Sequence, residues 1–303
     1  MKQYMSIISN RSLQGILWIT LSAVCFGSYG IWSKLMAGSF GEFSQGWIRG
    51  LLILSILLPI GIRNHSYSRI HRKDVWWFVL VSLGAMNQAP YFYAFSNLTI
   101  GTATLLFYAS LTVGGYIIGK LVFYEKMTWQ KITAFLLALS GMYILFEFSL
   151  GTSQYVAGLA GVVAGLMGGI EVTCTKKVSD RYSNIQILTV LFVVMFLGNI
   201  PIALFRHESI PTLALNIPWL AQFGYTIAML GAMYCVVKGF QYLEASIGSL
   251  IGLSEILFAA LFGISLFGES ITISLIVGGS IILFAGAIPL IYRSKKDFKM
   301  NDT

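Results

Sequence analysis

Leu121-Val122-Phe123-Tyr124-Glu125-Lys126-Met127-Thr128 recurs as Ser265-Leu266-Phe267-Gly268-Glu269-Ser270-Ile271-Thr272, with Phe, Glu and Thr at a constant offset. Leu106 and Ser110 fall on Leu250 and Ser254 at that same offset, and Tyr93-Ala94-Phe95 resembles Lys238-Gly239-Phe240 at nearly the same one. Lys34 and Lys177 occupy matching places at the ends of the first and sixth apolar runs. Self-similarity at a fixed spacing is the signature of an internal repeat. The chain reads as two copies of one unit.

Each copy is dominated by apolar residues. Of 303 residues, 56% are hydrophobic and 11% charged, and the mean hydropathy is +0.77. A soluble domain carries roughly 25% charged residues to cover its surface. With less than half of that, the apolar excess needs lipid as its solvent. Runs long enough to cross a bilayer, about 20 residues each, fall at 13–33, 43–62, 75–96, 100–123, 130–147, 156–175, 184–205, 217–240, 245–267 and 271–292. The stretch from Asp74 to Tyr124 is divided at Ser96-Asn97-Leu98-Thr99, its one polar interruption of turn type. The runs are continuous rather than alternating and exceed the length of a barrel strand, so they are read as helices. The first is longer than a signal-peptide core, and Phe40-Gly41-Glu42 is a poor cleavage sequence, so it is kept as a helix.

The net charge of +8 sits mainly in short loops, which disfavours a nucleic-acid partner. One set of alternate loops collects Lys2 and Arg11, then Arg63, Arg69, Arg72 and Lys73, then Lys126 and Lys131, then Lys176, Lys177 and Arg181, and finally Arg293, Lys295, Lys296 and Lys299. The other set holds little beyond Lys34 and Arg206. The positive-inside rule then puts both termini in the cytoplasm, which requires an even number of crossings. Five crossings per copy is odd, so the second copy enters the membrane from the opposite face. The expected fold is an all-α membrane protein of ten transmembrane helices in two inverted five-helix repeats. The repeats span 13–148 and 149–292, with a cytoplasmic segment at 1–12 and a basic cytoplasmic tail at 293–303. In inverted-repeat transporters the solute site lies near the midplane where the halves meet.

Gly252-Leu253-Ser254-Glu255-Ile256-Leu257-Phe258-Ala259-Ala260-Leu261-Phe262-Gly263, continuing to Gly268-Glu269, resembles the penultimate-helix pattern of the EamA-like family of the drug/metabolite transporter superfamily. Trp47-Ile48-Arg49-Gly50 resembles that family's second-helix arginine, and the likeness covers about 13–292. The resemblance implies proton-coupled or facilitated movement of amino acids, metabolites or drugs, usually outward. The chain departs from the pattern at Thr112 and Ile256, where the family often has proline in helices 4 and 9. The kinks those prolines make are therefore not expected.

Glu171 and Glu255 lie well inside their runs. A carboxylate at a helix centre costs about 2.5–3.5 kcal/mol on insertion scales, so each must face a cavity or a partner. The functional reading is amine binding or proton coupling; the structural one is an ion pair, with Lys238 as the candidate. Arg49 and Lys238 either snorkel or face the cavity. Asn87, Gln88 and Tyr91 share a helix face beside Pro90, which frees a backbone carbonyl there. Aromatic candidates on other runs are Tyr29, Trp32, Tyr108, Tyr225 and Tyr234, of which Trp32, Tyr108 and Tyr234 are taken into the candidate site; Trp76 and Trp77 suit an interfacial belt. Glu125 and Glu269 each precede a helix and are expected to cap it.

Gly161, Gly165 and Gly169, like Gly115 and Gly119, form small-xxx-small ladders that allow close helix approach. Gly114-Gly115-Tyr116-Ile117-Ile118-Gly119-Lys120 imitates a phosphate-binding loop but is followed by Leu121 in place of Ser or Thr, inside a membrane run. Cys25, Cys174 and Cys235 lie in apolar runs without disulfide or metal spacing, and His65, His71 and His207 lie in loops. No cofactor or metal is expected. The expected function is a secondary transporter of a small metabolite, amino acid or drug-like solute, proton-coupled or facilitated, working by alternating access and usually as an exporter. The alternatives are an importer or exchanger of a larger anionic metabolite such as a nucleotide derivative, which needs basic residues in the cavity, and an intramembrane lipid-modifying enzyme, which needs polar residues clustered at one interface. The expected location is a bacterial inner membrane, with lipids as its other partners.

Overall fold

The computed structural model describes residues 2–36, 39–98, 100–146, 151–208, 212–268 and 270–299. Every regular element among them is helical. In chain order these are α1 (Lys2–Gly27), α2 (Tyr29–Met36), α3 (Glu42–Arg63), α4 (Val75–Ala85), α5 (Gln88–Asn97), α6 (Ile100–Phe123) and α7 (Trp129–Phe146). There follow α8 (Tyr155–Ser179), α9 (Asn184–Phe205), α10 (Ile217–Tyr242), α11 (Ala245–Gly252), α12 (Glu255–Phe267) and α13 (Ile273–Lys299). Among the described residues, seven segments are long and apolar enough to cross a membrane: Ser12–Met36, Phe43–Arg63, Thr102–Val122, Thr152–Ser179, Asn184–Phe205, Ile217–Tyr242 and Ala245–Phe267. Trp129–Leu145 and Ile273–Pro289 are shorter apolar helices, and the 75–97 run is divided into α4 and α5.

That division has a local cause. Pro90 has no N–H to offer the carbonyl four residues back, and its ring crowds that carbonyl, which belongs to Met86. The chain therefore turns at Met86-Asn87, with Met86 and Asn87 bonding to Leu83 and Gly84 in tighter, three-residue steps. A second interruption lies between α11 and α12, where Leu253 and Ser254 bond to Leu250 and Ile251 in the same tight manner. The absence of proline at Ile256 predicts an unkinked helix; the structure shows a break there nonetheless. α6 runs continuously past Thr112.

Exchanging the two halves maps the packing onto itself. α1 and α2 lie against α10 as α4 and α5 lie against α8, while α6 lies along α8 as α11 and α12 lie along α1. α3 pairs with α9, α7 with α13, and α6 with α11. The closest of these seams is α6 on α8. A Cβ at Gly165 would run into the carbonyl of Phe107, and one at Gly169 into that of Leu111. Only glycine lets the two backbones meet so closely. Leu13, Leu17 and Leu21 form an exposed apolar stripe on α1, and Leu51, Leu58 and Ile62 are exposed on α3. Large aliphatics pointing outward along whole helices suit a hydrocarbon solvent.

Loops from the two halves are also tied together. Ser183 donates from Oγ to the Ser66 carbonyl at 2.7 Å, and Gln186 exchanges hydrogen bonds with the Ser68 backbone. Asp74, buried ahead of α4, accepts from Arg181 at 2.7 Å and from the Tyr182 hydroxyl at 2.9 Å. Burial works against its ionisation, but the Tyr182 and Arg181 hydrogen bonds and the Arg181 and Lys73 charges outweigh it and hold its pKa below the ordinary aspartate value. A depressed carboxylate pKa adds stability that is present above the unfolded value, about 3.9, and is lost as pH falls through the folded one. Asp74→Asn is thus expected to lower thermal stability at neutral pH and to flatten the acid limb of a melting-temperature profile below about pH 4. An acid limb identical to that of the parent would show that the carboxylate contributes nothing.

Candidate functional site

Between the halves lies a cavity of about 260 Å³. Its walls come from α1, α2, α4, α6, α8, α9, α10, α11 and α12, together with Asn87 and Tyr91 at the start of α5. Two carboxylates line it. Glu171 on α8 is 6% exposed and takes one hydrogen bond, from Asn87 Nδ2 at 3.3 Å. Gly84 lies directly against its Cα and Cβ, so that a side chain at 84 would push Glu171 aside. Glu255 is the first residue of α12. The helix break places its carboxylate at the positive end of α12, where it accepts from the Tyr108 hydroxyl. Among the described residues, neither carboxylate has an ion pair. The alternative ion pair of either carboxylate with Lys238 does not form, and Lys238 lies half-buried near the end of α10, outside the cavity wall.

The rest of the wall is aromatic and aliphatic. The rings of Tyr29 and Tyr225 meet at a tilt of 54° with centroids 4.4 Å apart, and those of Tyr91 and Phe107 at a tilt of 33° and 4.1 Å. The Tyr29 hydroxyl is buried with no hydrogen-bond partner. Met195, Met229 and Met233 supply polarizable, adaptable surface.

A profile of the EamA-like transporter family matches residues 13–147 and again 156–291. The chain belongs to the EamA-like transporter family. Two matches in tandem cover both halves of the structure, so this EamA-like protein is a multi-pass membrane transporter built from two repeats. A protein of Helicobacter pylori strain J99 named "Uncharacterized transporter" is 22% identical over 301 residues, covering 95% of this chain and 99% of that one. A Streptococcus agalactiae protein, whose name proposes sugar uptake for it, is 24% identical over 207 residues, 64% of this chain and 70% of its own. A solved crystal structure superposes with a TM-score of 0.75 at 13% identity, covering 92% of this chain and 97% of the other. That likeness is one of fold.

The structure sorts the residues anticipated for the site of this EamA-like transporter. Asn87, Tyr91, Tyr108, Glu171 and Glu255 line the cavity. Arg49 does not: it is 3% exposed and sits 3.5 Å over the Tyr225 ring, behind the wall. Its Nη2 donates to Gln45 Oε1 at 3.1 Å, and its Nε has no partner. Trp32 lies one turn beyond Tyr29, outside the wall, donating to Ser28 Oγ at 3.1 Å and packing on Gly224. Tyr234 is exposed and meets Trp18 edge-on. Tyr225, nine positions earlier, is half a revolution away on the same helix and is the tyrosine that faces inward. The side chain of Gln88 lies outside the described residues. Tyr29 and Tyr225 are therefore the wall tyrosines left out of the anticipated site. Both are among the aromatic candidates named above, but nothing local separates them from Trp32 and Tyr234.

Glu125 does cap a helix, but not the one that follows it. Its carboxylate accepts from the Ala245 N–H at 2.6 Å, the Ser246 N–H at 3.3 Å and Ser246 Oγ at 2.7 Å, at the start of α11 in the other half. Lys131 and Lys176 each stand 3.8 Å from it. Lys131 also meets Glu244 at 2.5 Å, and Lys176 donates to the Leu243 carbonyl at 2.7 Å. Groups from the α6–α7 connection, α7, α8 and the α11 terminus are so joined. Its repeat counterpart Glu269 lies outside the described residues.

Proposed function

We propose that this chain is a secondary transporter with ten crossing segments in two inverted repeats, 13–148 and 149–292, both termini cytoplasmic, carrying a small solute through the central cavity by alternating access. The divided 75–97 run and the two shorter apolar helices supply the crossings beyond the seven long ones. The exchange symmetry of the packing supports two equivalent gating arrangements, one for each half. The observation that carries the reading is the pair of carboxylates, Glu171 buried and Glu255 half-buried, without ion pairs among the described residues, facing one cavity between the repeats. Such groups are costly in a membrane interior and mark solute or proton pathways. Each can hold a proton or a polar solute group in turn, which couples the two movements.

A larger anionic solute is disfavoured, because two carboxylates and, among the described residues, no basic side chain line the cavity. Its volume, about 260 Å³, also falls just below the roughly 300–1,000 Å³ found for small-molecule sites. A sugar needs polar partners on several sides, and most of this wall is apolar.

Proteoliposome flux tests the reading with labelled phenethylamine, phenylalanine, glucose and uridine monophosphate, each with and without an acid interior. At least one solute is expected to accumulate faster when the interior is acid. Reversing the gradient reports the working direction, outward export being the one the family resemblance implies. Folded protein that moves none of the four would count heavily against transport through this cavity.

A further inference from the structure

We infer that the solute is a small organic monocation, an amine or quaternary ammonium on an aromatic or aliphatic frame. This rests on the transport reading and names the chemistry of its cargo. Three features of the cavity carry it.

The first is charge. Glu171 and Glu255 line the wall, and the polar contacts they receive come from neutral donors, Asn87 and Tyr108. A carboxylate offers about four lone-pair positions, so each keeps acceptor capacity for a further donor. The nearest cation described behind the wall, Arg49, is separated from the cavity by the Tyr225 ring on which it lies. An anionic or zwitterionic solute would bring its carboxylate to a wall with no cation to receive it.

The second is the arrangement of rings. Tyr29 with Tyr225 and Tyr91 with Phe107 form close, tilted pairs, and Phe107 meets Tyr108 edge-on at 5.2 Å. Aromatic faces around a carboxylate are the surroundings that bind ammonium groups, including those with no N–H to donate. The third is the orphaned Tyr29 hydroxyl, buried in the wall without a hydrogen-bond partner. It is free to accept from an ammonium N–H. The three methionines let the remainder of the cavity adapt to frames of different shape, so several related cations should be accepted.

The purified full-length protein is titrated with four probes of one frame: phenethylamine, trimethylphenethylammonium, neutral 2-phenylethanol and anionic 3-phenylpropionate. Binding is read by calorimetry and by ligand-induced thermal shift. Both cations are expected to bind at least about tenfold more tightly than the alcohol, with the carboxylate weakest. Glu255→Gln and Glu171→Gln should each weaken cation binding by about tenfold or more while leaving the alcohol unaffected. Two variants are used so that a misfolded one, recognised by its ligand-free melting temperature, leaves the other to decide.

Equal binding of alcohol and cations, preference for the carboxylate, or saturation by none of the probes overturns the inference. Cation binding insensitive to both Glu substitutions in folded protein overturns it as well. Transport is judged separately: cations that bind in this pattern but do not cross vesicles uphold the cavity chemistry and defeat the transport reading. Gradient-driven flux of the anion alone does the reverse.

Discussion

Glu255→Gln is expected to reduce gradient-driven flux by at least about thirtyfold, because truncating one side of a buried charged contact costs 2–5 kcal/mol. The substitution keeps the shape of the side chain and an oxygen for the Tyr108 hydroxyl to donate to. The fold should therefore persist. What is removed is the negative charge at the start of α12 and the site where a proton and a solute exchange. Glu171→Gln should behave similarly, since Glu171 faces the same cavity from α8 and Asn87 can still donate to it. A Glu255→Gln protein that melts like the parent and retains full acid-driven flux would remove Glu255 from the mechanism. Retained flux without any response to the gradient would instead show that the residue couples protons but is not needed to bind the solute.

The second large effect is structural. Glu125→Ala is expected to destabilise the protein by about 1.5–3 kcal/mol, the usual worth of a hydrogen-bonded charged group, because Lys131 loses one of its two carboxylates but keeps Glu244, and Lys176 keeps the Leu243 carbonyl. Two cations face Glu125, and Lys131 is itself only 7% exposed at its side chain. The N-terminus of α11 loses its cap in the same step, worth about 1 kcal/mol more. Lys176→Ala should cost less, because Glu125 then keeps Lys131 and its hydrogen bonds from Ala245 and Ser246. Thermal melts of the two variants in one detergent make the comparison. If Glu125→Ala melts no lower than Lys176→Ala, the carboxylate is not the centre of this junction. A cysteine placed at Ser249, one turn inside the cavity from Ser246, should also become more reactive to a soluble thiol reagent in Glu125→Ala if the junction closes that end.

Much of the site was legible because the membrane makes polar residues costly. Glu171 and Glu255 stood out from their apolar runs without any knowledge of packing, and Asn87, Tyr91 and Tyr108 stood out for similar reasons. Arg49 and Lys238 were equally conspicuous, yet neither lines the cavity. A buried arginine can be accommodated by stacking on a ring and bonding to Gln45, and the sequence contains no sign of which ring will be adjacent. The tyrosines were harder still. Tyr225 and Tyr234 occupy one helix in similar company, and only the rotation of α10 against its neighbours turns one inward and the other out.

The repeat quoted at the outset shows the same division. Taken alone, the sequence determined that the chain is helical, that its solvent is lipid, and that its two halves are copies. Each of these follows from composition and spacing, which act locally along the chain. Tertiary structure decided where Glu125 points. Its position before a helix suggested the local partner, but its carboxylate reaches the start of α11, 120 residues away. A carboxylate in a low-dielectric setting goes where unsatisfied N–H groups and cations converge, and here that place exists only once the two copies have packed against each other.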